Sequence, residues 1–267
     1  MIWHNPRLMN YLSTMLVLVA MLIFIYALLY RVMHAGQFRL RTVEIESNTG
    51  TALLHVHKAD VVANLQGKLS GNFFTVNLNA VQQTLLSVPW VRRVSVRRVW
   101  PNALKIDIEE HIPQAVWKAK GCSCLVNTYG EIFRIHPNDL LSLEKQQQPD
   151  NRLVTFVGPE NAAAEMTAHR KDLQDIFKAL NWRLTTLELS QRYAWRAIFN
   201  QEIQIEFGRE DHQPDLATRA KQFVQALPKV MQVHPKKLVY ADLRYPQGFA
   251  VRFHQEDNSA TKLQFAH

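Results

Sequence analysis

The residues of this 267-residue chain with most capacity for chemistry are two cysteines, a pair of histidines and a cluster of arginines. Cys122 and Cys124 are the only thiols. Two ligands are too few for a zinc site, and on a strand the two alpha carbons would lie near the upper limit for a bridge that closes a small, strained ring. They read as packing residues or a labile bridge. His55-x-His57 would place two imidazoles on one strand face, but no third ligand has metal-site spacing, so solvated histidines are the favoured reading. In the strand VRRVSVRRV, Arg92 and Arg98 share a face with Val94 and Val96, and Arg93 and Arg97 share the other with Ser95. Without interleaved stacking aromatics this is a solvated edge rather than a nucleic-acid groove. Arg93 and Arg97 are nonetheless a candidate contact surface for another protein or for anionic lipid headgroups. No nucleophile elbow, Walker loop, HExxH helix or dinucleotide fingerprint occurs, nor a well-defined carboxylate pair for glycoside hydrolysis. The expectation is a protein that is not an enzyme, with no catalytic, cofactor-binding or metal-ligating residues, no small-molecule substrate and no nucleic-acid partner.

The charge pattern supports this. Thirty-one basic against 23 acidic residues give +8, which taken alone suggests a polyanion binder. Half of that excess lies in residues 1–41, where Arg7, Arg31, Arg39 and Arg41 meet no acidic residue; the rest of the chain is close to balanced. The basic excess therefore flanks a hydrophobic segment.

Residues 8–30 carry no ionisable side chain except tyrosine and are apolar without interruption from Met15 to Tyr30. A helix of about 20 residues crosses a bilayer, and this one lacks the polar stripe of a soluble helix. The run is longer than a signal-peptide core and its flank offers a poor cleavage site, so an uncleaved anchor is favoured over a cleaved signal peptide. Local charge, with three arginines after the span and one before it, would put the N-terminus outside. A tail of about seven residues before the span and more than two hundred residues after it favour the reverse, a signal anchor that exports its C-terminal part.

Behind the anchor, residues 41–113 read as β-α-α-β-β. RTVEIES alternates like a strand; residues 58–69 place Val61, Val62, Leu65 and Leu69 on one helical face; Asn77 or Asn79 caps a second helix with Val81, Leu85 and Leu86 on its buried side. Two strands follow, joined by a turn at Trp100-Pro101-Asn102. From residue 114 short strands dominate, with a polar break at LEKQQQPDN and two long helices, over residues 162–180 and 215–227. The second has a clean apolar stripe of Leu216, Ala220, Phe223, Val224 and Leu227. KLVYADLRY, a PQG turn and FAVRF close the ordered part.

Three separated stretches carry a family resemblance. The first is LLSVPWVRRVSVRRVWPNALKIDIEEHIPQAVW, with Pro89-Trp90-Val91, Arg98, Trp100-Pro101, Glu110, Pro113 and Trp117; the others are LVNTYGEIF and YADLRYPQGFAVRF. Together with the single anchor and short leading tail they closely resemble the FtsQ/DivIB family of bacterial cell-division proteins. The resemblance implies an α+β chain: a short cytoplasmic tail (1–7), a transmembrane helix (8–30), a POTRA domain (41–113), a β-rich domain with two helices and an exposed C-terminal edge strand (114–255), and a flexible tail (256–267).

It further implies a single-pass inner-membrane protein whose exported part lies in the periplasm at the division septum. Such a protein is a non-enzymatic divisome scaffold that binds FtsB and FtsL, without cofactors, and helps control septal peptidoglycan synthesis. The implied partner-binding residues are Tyr240, Arg244 and Tyr245 on the penultimate strand, Gly248, Phe249, Ala250, Val251 and Arg252 on the last, and Arg192 as a second charged contact. Tyr245 and Phe249 would give rigid apolar area and Arg244 would meet an acidic group, with Pro246-Gln247 an unusual turn for the family. The rival reading keeps the POTRA domain and makes the chain a membrane-tethered periplasmic chaperone or protein-transport module. About 150 residues after the POTRA domain, two helices among them, leave no long β-barrel for a transporter of that class.

Overall fold

The computed structural model describes residues 6–33, 38–48, 50, 52–67, 71–146, 152–200, 202–210, 214–245 and 248–254. The expected tail at 256–267, most of the leading tail, Leu69 and Pro246-Gln247 lie outside them. The chain divides into two compact units, Met1–Glu110 and His111–His267.

The first unit begins with α1 (Pro6–Met33). Its segment Met9–Arg31 contains an 18-residue stretch with a mean hydropathy of 2.6 that is unburied, so it is long and apolar enough to cross a membrane. Then come β1 (Thr42–Ser47), α2 (Lys58–Leu65), α3 (Leu78–Leu86), β2 (Val91–Val99) and β3 (Ala103–Glu110), the expected β-α-α-β-β order. The sheet runs β1-β3-β2, with β1 parallel and β2 antiparallel to the central β3.

Alternation buries Ile45, Val94, Leu104, Ile106 and Ile108 with Val61 and Leu65 of α2 and Val81 and Leu85 of α3. These spacings of four put one residue per turn on the core. Val62 and Leu86, expected on the buried faces, are instead exposed, because a short helix has room for one such row. Asn77 rather than Asn79 caps α3, its side chain accepting the Ala80 N–H at 3.1 Å. The Glu110 carboxylate accepts backbone N–H groups of Leu54, His55 and Val56 at 2.9, 3.0 and 2.6 Å. That clamp ties the loop before α2 to the end of β3.

Among the described residues the second unit is built on a nine-stranded sheet. Its elements are β4 (Pro113–Trp117), β5 (Cys124–Asn127), β6 (Ile132–Arg134), α4 (Pro137–Gln146), β7 (Val154–Val157), α5 (Ala163–Phe177), β8 (Leu184–Leu189), β9 (Ala194–Phe199), β10 (Ile203–Arg209), α6 (Leu216–Val233), β11 (Leu238–Asp242) and β12 (Ala250–Phe253). The strand order is β12-β11-β10-β9-β8-β7-β4-β5-β6. β4–β7, β7–β8 and β10–β11 are parallel and the other pairs antiparallel. Met166, Leu173 and Phe177 of α5 and Leu216, Ala220, Phe223 and Leu227 of α6 belong to one core with Phe156, Leu187, Trp195, Phe199, Ile205 and Phe207 of the strands. Phe177 and Phe199 approach to 4.2 Å between ring centres.

The two long helices are as expected, with differences at their margins. α4 covers part of the expected polar break; its low apolar content hides a short helix whose Leu140 and Leu143 are half-buried. α6 continues through Pro228 to Val233 although proline there removes one helical hydrogen bond. Val224 and Met231 pack against the core on either side of it, and that packing favours keeping the helix. Cys122 and Cys124 form a disulfide with alpha carbons 5.3 Å apart, and Cys124 is buried in the core. Gly130, at φ +78°, fills the turn after β5, where an added Cβ would meet the Cβ of Ala164 at 2.9 Å.

Candidate functional site

Among the described residues β12 pairs on one side only, with β11, and so forms one edge of the sheet. Successive N–H and C=O groups along a strand face alternately toward its neighbour and away. Half of the β12 backbone groups therefore point out of the sheet, available for strand addition. Side chains alternate as well: Ala250 and Arg252 are exposed, while Val251 and Phe253 are half-buried and pack on the core.

Tyr240 and Arg252 are opposite each other in the β11–β12 register, and the Arg252 guanidinium carbon lies 5.1 Å from the Tyr240 ring centre. Burial, followed by the charges of Asp242 and Glu206, pushes the Tyr240 phenol above its ordinary pKa. It stays a neutral hydroxyl beside a cation. The same face carries a charge row across β8, β9 and β10, where Arg196 lies 2.6 Å from Glu206 and 3.3 Å from Glu188. Burial works against the charge of Arg196, but the two carboxylates outweigh it and hold the pKa up.

The strands are shorter than the sequence suggests. β11 ends at Asp242 and β12 begins at Ala250, so Leu243, Arg244, Tyr245, Gly248 and Phe249 belong to the connection. Leu243 still donates its N–H to the Glu206 carbonyl at 2.8 Å and is buried. Arg244, expected to face a partner carboxylate, ion-pairs with Asp242 at 2.6 Å. Tyr245 is 55% exposed, whereas Phe249 is half-buried with its ring edge-on to Phe223 at 5.0 Å. Gly248 is exposed, with open space where a Cβ would be. Between α6 and the connection lies a groove of about 310 Å³ lined by Gln222, Phe223, Ala226, Leu243, Tyr245 and Phe249 among others.

Arg192 is exposed in the turn between β8 and β9. The register brings Ala194 opposite Arg209, Glu206 opposite Asp242 and Asp242 opposite Ala250. The Arg192 turn thus sits at the same end of the sheet as the 243–249 connection, about 14 Å along it at three strand spacings. Arg93 and Arg97, in the first unit, point outward from the edge strand β2, 69% and 61% exposed in their side chains, with Glu109 and Asp107 at 4.0 and 3.6 Å. The other two arginines of that run are engaged: Arg92 pairs with Glu109 at 2.6 Å, and Arg98 donates to the carbonyls of Phe73 and Val76 at 2.6 and 2.9 Å.

Arg219 is a residue sequence reasoning missed. It sits on the apolar side of α6, is buried, and donates to the carbonyls of Phe207 and Arg209 at the end of β10. Its signal was its position three residues after Leu216, on the stripe itself. The two histidines first considered as ligands do not share a strand; His55 stacks on Trp90 at 3.9 Å and His57 precedes α2. Among the described residues Glu165, His169 and Glu210 bring one potential ligand atom each within 4.8 Å of one another. Two of the three are joined by a hydrogen bond, His169 Nε2 lying 3.2 Å from Glu210 Oε2.

Comparison with known proteins bears on both units. Residues 38–111 match the family model described as POTRA domain, FtsQ-type, and residues 115–244 match that of cell division protein FtsQ/DivIB, C-terminal. The chain is 36% identical over 250 residues to the cell division protein FtsQ of Burkholderia pseudomallei, covering 94% of each. It is 34% identical to that of Nitrosospira multiformis (94% of this chain, 98% of the relative) and 33% identical to that of Bordetella pertussis (93% and 92%).

Proposed function

The chain belongs to the FtsQ/DivIB family of cell-division proteins, and from that premise we propose that it is a non-enzymatic divisome scaffold that holds FtsB and FtsL through β12. In this reading α1 is a type II anchor in the inner membrane, with residues 1–7 in the cytoplasm, the POTRA domain (41–113) and β domain (114–255) in the periplasm, and the protein concentrated at the septum. Through its partners it helps control septal peptidoglycan synthesis.

The observation that carries the proposal is the outer side of β12, unpaired among the described residues, which an FtsB-like segment extends by adding a strand. Ala250, Val251 and Arg252 supply the ladder, Tyr245 and Phe249 flank it with aromatic area, and Gly248 allows close approach of a second backbone. Arg244 and Arg192 complement acidic groups on the partner, and Tyr240 with Arg252 supports the edge from its open face. Arg93 and Arg97 form a separate contact surface on the POTRA domain.

The test pairs localisation with capture. A fluorescent fusion is expected to concentrate at midcell, and Tyr245→Ala to abolish co-purification of the FtsB-like partner. Diffuse envelope labelling with intact co-purification would overturn the proposal and favour a chaperone or transport role.

A further inference from the structure

Three segments of the first unit meet at one end of its sheet: residues 38–41 before β1, the turn at 71–76, and the turn at 99–102 between β2 and β3. They bring together Phe38, Phe73, Phe74 and Trp100. Ring centres are 5.0 Å apart for Phe38–Phe74, 5.5 Å for Phe38–Trp100 and 5.5 Å for Phe73–Trp100. A cluster of this kind would ordinarily be covered, yet Trp100 is 65% and Phe74 39% exposed. The Phe73 N–H donates to the Phe38 carbonyl at 2.8 Å, and Arg98 grips the 71–76 turn through its carbonyls. The tip is thus built and braced, with its largest ring left outward.

Its charge is one-sided. Residues 38–42, 71–77 and 98–103 contain Arg39, Arg41 and Arg98 and no Asp or Glu. Arg39 and Arg41 are exposed, and no acidic side chain among the described residues pairs with either. Elsewhere on this sheet basic side chains do meet acids, as in Arg92–Glu109, Arg97–Asp107 and Lys105–Glu46.

The chain's own connectivity selects the occupant. Four residues separate the end of α1 at Met33 from Phe38, and five extended residue steps reach about 18 Å at most. The segment Met9–Arg31 spans about 34 Å as a helix, a little more than the roughly 30 Å hydrocarbon core. The aromatic tip is therefore tethered within reach of the headgroup layer. Tryptophan favours that layer, where an amphipathic ring lies between tails and water, and arginine is drawn to anionic headgroups within a Debye length.

We propose that this tip is a membrane-docking surface: Trp100 and Phe74 enter the interfacial layer of the bilayer that α1 crosses, with Arg39 and Arg41 against anionic lipid phosphates. The inference requires α1 to span a bilayer but does not depend on what β12 binds.

The experiment uses the full chain in lipid nanodiscs of brominated phosphatidylcholine, with and without phosphatidylglycerol. The part of the tryptophan fluorescence lost in Trp100→Phe reports on Trp100, and the Phe ring keeps the cluster filled. Unchanged circular dichroism and thermal unfolding establish that each variant is folded. The expected result is strong quenching of this component by brominated lipid and protection from iodide. With phosphatidylglycerol present, Arg39→Glu combined with Arg41→Glu should remove more than half of that quenching, as high salt should. Three results would each overturn the proposal: quenching by iodide but not by brominated lipid; shielding from both, which would mean that protein covers the tip; or lipid quenching indifferent to the two arginines and to lipid charge.

Discussion

Arg244 and Asp242 form a two-pronged ion pair, Nε to Oδ1 at 2.8 Å and Nη2 to Oδ2 at 2.6 Å, with the Arg244 N–H adding a third contact to Oδ1 at 3.1 Å. The pair locks the first residues after β11, so the arginine that the proposed binding mode presents to a partner would already be oriented. Arg244→Ala is expected to weaken partner binding by about tenfold, in the range of an interface arginine. Arg244→Lys should not restore it, since an ammonium cannot reproduce the fork. Calorimetric titration with an FtsB-derived peptide measures both, and full rescue by lysine would reduce the role of Arg244 to bare charge.

The same pair gives a pH dependence. The hydrogen bond from the Arg244 guanidinium holds the Asp242 carboxyl below its ordinary value of 3.8, against the opposing effect of burial. A lowered folded-state pKa stabilises the fold fully above the unfolded value, and that stabilisation is lost as the pH falls through the folded value. Because Arg244 is 58% exposed in its side chain, the gain is screened to about 1 kcal/mol or less. Chemical denaturation of Asp242→Asn against wild type should show this difference at neutral pH and none in strong acid.

Tyr245 and Phe249 should separate binding from stability. Tyr245→Ala removes an exposed ring and is expected to change unfolding free energy by no more than about 0.5 kcal/mol while abolishing capture of the partner. Phe249→Ala removes a ring packed on Phe223 and should cost about 2 kcal/mol as well as binding. Equal losses of stability in the two variants would contradict the burial difference.

Proline placed in turn at Ala250, Val251, Arg252 and Phe253 should give an alternating result. At the two positions whose N–H faces outward, binding is lost with little change in melting temperature, because no internal bond is broken. At the other two, both fall. Four equivalent variants would argue against strand addition.

Gly130→Ala should destabilise the second unit by about 3 kcal/mol, combining a left-handed backbone with a clash against Ala164. A change in the urea midpoint smaller than that of a surface substitution would show that α5 yields easily at this point.

The order of elements in the first unit was legible because each carries its own period: alternation in Leu104-Ile106-Ile108, spacings of four in Val61–Leu65 and Val81–Leu85. What that period leaves open is which of two adjacent apolar residues turns outward, as Val62 and Leu86 did. Strand order in the second unit was not legible, since nothing local in Ala115 or Val154 announces that β4 and β7 run side by side. The edge position of β12 was read through the family resemblance, while the ends of the strands depended on long-range contacts such as Leu243 with Glu206. Arg219 and the Arg244–Asp242 pair escaped because a charged residue on a helix or after a strand reads as solvated until its distant carbonyls or near carboxylate are placed.

The brevity of β12 also bears on self-association. An unguarded edge invites a second copy of the same chain, and a long flat one would let molecules zip together into sheets. Here a twofold meeting of two β12 strands would match only four residues on each side and bring two Arg252 cations into one small contact. Such a homotypic ladder gains few hydrogen bonds and incurs like-charge repulsion. Crowded copies would therefore leave their edges free for a foreign strand.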